Sequence, residues 1–220
     1  MQKYGLACKE YEMNIGVLDY GAGNLKNVCR AVEHLGYSYT LVPSNEELMG
    51  IDKLIIPGVG AYKVAMEQLH KLDLVLSIRE FSKSGAPILG ICLGMQLLLE
   101  KSFEYGETEG LGLIKGEVIL IPTIGNNGQK HKVPHIGWNE LLPEKGCEHW
   151  LSDFTDGNAV YFVHSYMASL KENDNLVSYV NYDDLRIPGV IEQDNVLGCQ
   201  FHPEKSGSVG LKILNEFLKR

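Results

Sequence analysis

The chain has 220 residues, 45% of them hydrophobic and 22% charged, enough for one globular domain with a full core. Its net charge of -8 argues against nucleic acid or an anionic membrane as the main partner. The five cysteines (Cys8, Cys29, Cys92, Cys147 and Cys199) are odd in number and irregularly spaced; this points to a reducing compartment, not a disulfide framework.

Residues 1–12 hold Lys3, Lys9, Glu10 and Glu12 and no apolar run long enough for a signal segment. No stretch approaches the roughly 18 apolar residues of a membrane span. The expected location is therefore the cytoplasm. Met13 stands just before the first strand-like run, so residues 1–12 are expected to be an extension and 13–220 a single domain.

The rest of the chain alternates short apolar runs with helical patterns. That predicts βαβ units and a mostly parallel sheet with helices on both faces. Residues 15–19 form the first expected strand, Gly21-Ala22-Gly23 the turn, and Asn24 an N-cap. Leu25, Val28, Val32 and Leu35 recur at helical spacing, with Gly36 as the stop. Residues 39–42 read as a strand, and Ser44 with Glu47 has capping-box spacing before a short helix. Residues 53–56 read as a third strand, ending in Pro57-Gly58-Val59-Gly60. One helical stretch is expected from about Tyr62 to Ser84, a strand over 87–91, and a helix over 95–101. Beyond residue 112, strands are expected over 118–121, 159–163, 176–180, 190–192 and 196–200, and a closing helix over 211–218. The turn at residues 125–128 is the expected flexible point.

Gly90-Ile91-Cys92-Leu93-Gly94 has the form G-x-C-x-G between a buried strand and a helix, the pattern of a nucleophile elbow. The turn would present Cys92 at a helix N-terminus, where backbone N–H groups and the helix dipole favour a thiolate. A base is available in Gln200-Phe201-His202-Pro203-Glu204. In an extended segment His202 and Glu204 point the same way, so Glu204 can orient and polarise the imidazole. For the oxyanion, one donor is the N–H of Leu93; the turn Gly58-Val59-Gly60, at the carboxyl end of a strand, could supply another. Gly21-Ala22-Gly23 is not a dinucleotide fingerprint, because Lys26 stands where a small residue is needed. His131 and His135 have H-x3-H spacing but no further ligands nearby, so they read as surface histidines and not as a metal site. Residues 161–163 read mostly as core.

Residues 90–96, 57–60 and 201–206 together resemble the class I (triad) glutamine amidotransferase family, over roughly residue 14 to the C-terminus. A narrower resemblance rests on Asp19-Tyr20-Gly21-Ala22-Gly23-Asn24-Leu25, Pro57-Gly58-Val59-Gly60-Ala61, Pro134-His135-Ile136-Gly137-Trp138-Asn139 and Tyr161-Phe162-Val163-His164-Ser165-Tyr166. These are similar to the glutaminase subunits of imidazole glycerol phosphate synthases. The resemblance implies a flavodoxin-like three-layer α/β fold with additional antiparallel strands. It implies a triad of Cys92, His202 and Glu204, and an oxyanion hole from Val59, Gly60 and Leu93. It also implies that Gly60, Gln96, Ser165 and Tyr166 bind L-glutamine without cofactor or metal. The implied partner is a (β/α)8-barrel cyclase subunit in a heterodimer, met through Asn24, Trp138 and Lys205 and supplied with ammonia for histidine biosynthesis. In such proteins the Pro57–Gly60 strand is expected to reorient for activity. A paralogue feeding another acceptor, for example in amidino-sugar synthesis, would carry the same motifs.

Overall fold

The computed structural model describes residues 13–125, 128–147, 158–172 and 175–220. The expected extension at 1–12 lies outside the described residues, as do Asn126 and Asn127 at the centre of the expected flexible turn.

The first half is β1 (Ile15–Leu18), α1 (Leu25–His34), β2 (Tyr39–Val42), α2 (Asn45–Leu48), β3 (Lys53–Ile56), α3 (Tyr62–Lys71), α4 (Leu74–Lys83), β4 (Ile88–Ile91) and α5 (Leu93–Leu97). The second half is mostly strand: β5 (Lys101–Ser102), β6 (Thr108–Glu109), β7 (Gly116–Leu120), β8 (His135–Glu140), β9 (Leu142–Pro143), β10 (Ala159–His164), β11 (Tyr166–Leu170), β12 (Leu176–Tyr182), β13 (Leu185–Gln193) and β14 (Val196–Cys199). A 3-10 turn (Pro203–Lys205) and α6 (Gly207–Lys219) close the chain.

The main sheet has eight strands in the order β2-β1-β3-β4-β14-β13-β12-β9. The run β2-β1-β3-β4-β14 is parallel throughout, the flavodoxin-like doubly wound order. Strands β13, β12 and β9 then extend it antiparallel. Two smaller sheets, β10-β8 and β11-β7-β5-β6, flank it.

Alternation along the central strands creates two cores. Val17, Ile55, Leu89 and Ile91 face α1 and α6, packing with Val28, Val32, Leu214 and Phe217. Leu18, Leu54, Ile56 and Ile88 face the other way, onto Met66, Leu69, Leu74 and Ile78 of α3 and α4. A strand buried on both faces favours apolar residues throughout, which is why β1, β4 and β3 beyond Lys53 read as unbroken apolar runs. Lys53 begins β3 yet is buried; its ammonium donates to the Leu218 carbonyl at 2.7 Å and so closes the end of α6.

Several expectations are corrected. The helix expected over 62–84 is two helices, broken where Asp73 turns left-handed at φ 54°. The helix after Cys92 begins at Leu93 and ends at Leu97, because the chain then turns into β5. Asn24 occupies the N-cap position of α1 but makes no side-chain cap; its φ is 72° and its side chain points elsewhere. His131 and His135 are buried, not on the surface. His131 bonds Asp184 at 2.6 Å and the Pro122 carbonyl at 3.0 Å. Among the described residues no cluster could hold a metal ion, and no helix is long and apolar enough to cross a membrane.

Candidate active site

Cys92 ends β4 and begins α5 with φ 56° and ψ -109°. That conformation is strained for a residue with a side chain, and it turns the thiol out above the carboxyl edge of the sheet. Packing on both sides enforces it. A Cβ on Gly94 would stand 1.8 Å from the Ile56 carbonyl oxygen, and one on Gly90 would stand 2.6 Å from the Gly94 carbonyl oxygen. The Cys92 N–H is tied to the Cys199 carbonyl of the neighbouring β14 at 2.7 Å.

β14 leads directly to the partner groups. His202 Nδ1 lies 2.8 Å from Glu204 Oε1, and both side chains are fully buried. The Asn24 amide donates to the same Oε1 at 2.7 Å. Oε1 thus receives two hydrogens, which fixes the imidazole with its proton on Nδ1 and leaves Nε2 toward Cys92. The Ser206 hydroxyl donates to the His202 carbonyl at 2.6 Å and accepts the Tyr161 N–H at 2.9 Å, locking the loop onto β10. Burial pulls the His202 pKa down, but the bonds and charges of Cys92 and Glu204 outweigh it and raise the value to about 9. A ring held in this way is a strong base.

The sulfur opens into a cleft of about 470 Å³ lined by Val59, Gly60, Cys92, Leu93, Gln96, Ser165 and Tyr166, among others. All the residues expected to bind glutamine are brought together there. Gln96, one turn beyond Cys92, commits both amide hydrogens internally: to the Tyr166 carbonyl at 3.0 Å and to Gln200 Oε1 at 3.0 Å. Its Oε1 is then the group left for a ligand's ammonium. Gln200 in turn points its amide at the Cys92 sulfur, 3.9 Å away. The sequence reasoning missed Gln200, although period-two alternation puts it on the same side as His202 and Glu204. It also missed Glu104 and Tyr105, which line the cleft from a loop with no motif of its own.

The expected oxyanion hole is not assembled. The Leu93 N–H is occupied by the Gly58 carbonyl at 3.3 Å, and the buried Tyr20 hydroxyl donates to the Pro57 carbonyl at 2.8 Å. Turning the Gly58–Val59 peptide would withdraw that carbonyl and offer the Val59 N–H beside that of Leu93. Glycine at 58 and 60 suits such a turn: Gly60 sits at φ 114°, and Gly58 is so close to Tyr20 that a Cβ would lie 2.3 Å from its hydroxyl. Of the residues expected at a partner interface, Trp138 is 56% exposed and Lys205 is exposed. Asn24 is half-buried with its amide on the triad.

Comparison with known proteins gives a consistent result. The family described as "Glutamine amidotransferase class-I" matches residues 16–220. A Legionella pneumophila (strain Lens) protein named imidazole glycerol phosphate synthase subunit HisH 1 is 48% identical over 210 residues, covering 94% of this chain and 99% of that one. The subunit HisH of Lactococcus lactis is 47% identical over 207 residues, with 93% and 98% covered. Among solved structures, PurLQS from Thermotoga maritima aligns with a TM-score of 0.69 at 22% identity, over 94% of this chain and 98% of that one. A structure described as a glutamine amidotransferase aligns at 0.68 and 20% identity, over 93% and 97%. These two show the shared fold.

Proposed function

The chain belongs to the class-I glutamine amidotransferase family, and on that premise we propose that it is the glutaminase subunit of an imidazole glycerol phosphate synthase. It hydrolyses L-glutamine and passes the ammonia to a cyclase subunit in histidine biosynthesis. The observation that carries the reading is the strained, glycine-flanked Cys92 lining a cleft of about 470 Å³, with the His202–Glu204 pair just beyond the neighbouring strand β14.

The Cys92 thiol gives its proton to His202 Nε2 as the sulfur attacks the carboxamide carbon, and negative charge gathers on the carboxamide oxygen. Collapse breaks the C–N bond as His202 Nε2 gives its proton to the nitrogen, releasing ammonia and leaving a γ-glutamyl thioester. Water then gives a proton to Nε2, attacks the thioester and frees glutamate with the thiolate. Glu204 and Asn24 keep the ring in the tautomer that both steps use. Gln96 Oε1 takes the ammonium of the substrate, and Ser165, Tyr166 and Gly60 shape the cleft around it.

The partner is a barrel-shaped cyclase forming a heterodimer over the cleft mouth, with Asn24, Trp138 and Lys205 toward it. Docking would turn the Gly58–Val59 peptide and complete the oxyanion hole from Val59, Gly60 and Leu93. A reducing cytoplasm suits a free Cys92. The test is glutamate release by the purified chain, alone and with the histidine-pathway cyclase and its nucleotide ligand. Strong stimulation that Cys92→Ala abolishes is the expected result. A folded chain that this cyclase leaves unstimulated would belong with a different ammonia acceptor.

A further inference from the structure

Two buried histidines of the β8–β10 ribbon stand at the glutamine cleft, outside the triad: His164 lines it and His135 lies against His164. His164 Nδ1 stands 2.8 Å from the Tyr166 carbonyl, so it must carry a proton and donate it. Burial pushes the His164 pKa down to about 3, so the ring is neutral and its Nε2 can only accept. The group facing Nε2 is His135 Nδ1, 2.9 Å away, which must therefore be the donor. His135 Nε2 in turn lies 2.8 Å from Asn139 Oδ1; with the His135 proton on Nδ1, a half-turn of that amide presents its N–H to Nε2 instead. The Tyr166 carbonyl at the end of this chain also receives the Gln96 amide. The His135 and His164 donors thus run in series to the carbonyl that orients Gln96. His135 and Asn139 lie on the inward side of β8 and His164 on its partner β10, while the outward side of β8 exposes Ile136 and Trp138.

We propose that His135, acting through His164, is a positioning residue for glutamine. Its Nδ1–H holds the His164 ring, which holds the Tyr166 carbonyl and with it the Gln96 amide in the geometry that receives the substrate's head group. The inference rests on glutamine occupying the cleft at Gln96.

His135 also packs by its ring, against Phe162 at 4.9 Å and Tyr182 at 4.2 Å between centroids. The two roles separate by substitution. His135→Phe keeps a ring and loses the donor; His135→Asn places an amide N–H where Nδ1 stands and loses the ring. Glutamate release is measured against glutamine concentration in the complex with the cyclase and nucleotide ligand, alongside thermal unfolding and the rate at which iodoacetamide alkylates Cys92. His135→Phe is expected to raise the glutamine KM about tenfold, with kcat within about twofold and the alkylation rate unchanged. His135→Asn is expected to keep the KM near wild type while unfolding at lower temperature. His164→Asn, which keeps a donor for Tyr166 but no acceptor for His135, should make the added His135→Phe change silent. A KM that follows the ring instead of the donor, or additive effects in the double variant, would overturn the proposal. Gln96→Ala serves as the reference. If it leaves KM unchanged, glutamine does not bind there and the cleft assignment falls with this inference; if it raises KM while His135→Phe does not, this inference alone falls.

Discussion

At the scale of single residues, the reactivity of Cys92 comes from what surrounds His202. Burial alone would keep that imidazole neutral, yet the Glu204 carboxylate and the Cys92 sulfur together hold its pKa near 9. The sign of the pH dependence follows. The charged ring is the proton source for the departing ammonia, so kcat/KM should fall as pH rises through about 9. The same raised pKa makes a contribution to stability that is fully present below the ordinary histidine value, about 6.5. That contribution is lost as pH climbs through about 9. Glu204→Gln removes the negative charge and should move the alkaline limb to lower pH. It should cost less activity than His202→Ala, which deletes the base and should lose about 100- to 10,000-fold. A pH–rate profile of the three proteins checks both points. An unmoved limb in Glu204→Gln would mean that the carboxylate does not set the charge of the ring.

At the scale of elements, the elbow depends on α5 lying against β3 with no side chain between them. In an exposed helix Gly→Ala is favourable by about 1 kcal/mol. At Gly94 the new methyl would meet the Ile56 carbonyl oxygen at 1.8 Å, and overpacking costs about 1–3 kcal/mol or more. The clash wins, so Gly94→Ala should lower Tm by about 2–12 °C and lose glutaminase activity, as thermal unfolding and glutamate release will show. The strand at Pro57–Gly60 should respond in the opposite sense. Tyr20→Phe leaves the Pro57 carbonyl without its buried donor and so destabilises the resting strand by about 1–2 kcal/mol. Unstimulated glutamate release should rise about tenfold as the turned form becomes easier to reach. No rise would mean that the Tyr20 bond survives the turn. The central parallel strands, the Cys92 turn and the His202–Glu204 contact were legible because each rests on local chemistry: unbroken apolar runs, glycines about one cysteine, and period-two spacing of His202 and Glu204. The break at Asp73 was not, since no glycine or proline marks it and aspartate tolerates the left-handed region. Strands β5, β6 and β9 have two residues each, too few for a period to appear. The burial of His135 and His131 depends on His164, Asn139 and Asp184, partners that H-x3-H spacing cannot reveal. Nor could a glycine turn show that the Gly58 carbonyl fills the oxyanion site, because that depends on one peptide's orientation.

At the scale of the whole molecule, Cys92, His202 and Glu204 lie at the carboxyl edge of the parallel strands, and four exposed apolar side chains stand at the cleft or on the neighbouring β8. Val59 and Tyr105 line the cleft and are 38% and 85% exposed, and Ile136 and Trp138 stand on the outer side of β8 at 58% and 56%. Trp138 lies beside Tyr161, with ring centroids 5.9 Å apart. The Tyr161 carbonyl accepts the His202 N–H at 3.1 Å. A partner seated on this ribbon, as proposed, would press on the backbone that carries His202, and its edge would cover the mouth of the cleft. Large aromatic side chains at the centre of an interface carry a disproportionate share of its energy, often 2 kcal/mol or more, about thirtyfold in Kd. Trp138→Ala removes such a side chain without opening a core cavity, because more than half of it already meets solvent. The expected outcome is a Kd for the cyclase weakened by about thirtyfold or more with Tm unchanged within about 1 °C, read by calorimetric titration and thermal unfolding. At saturating cyclase, stimulation of glutamate release should largely return, since the triad and its strand are untouched. Lost stimulation at full occupancy would instead place Trp138 in the transmission of docking to the site, and an unchanged Kd would move the interface to another face.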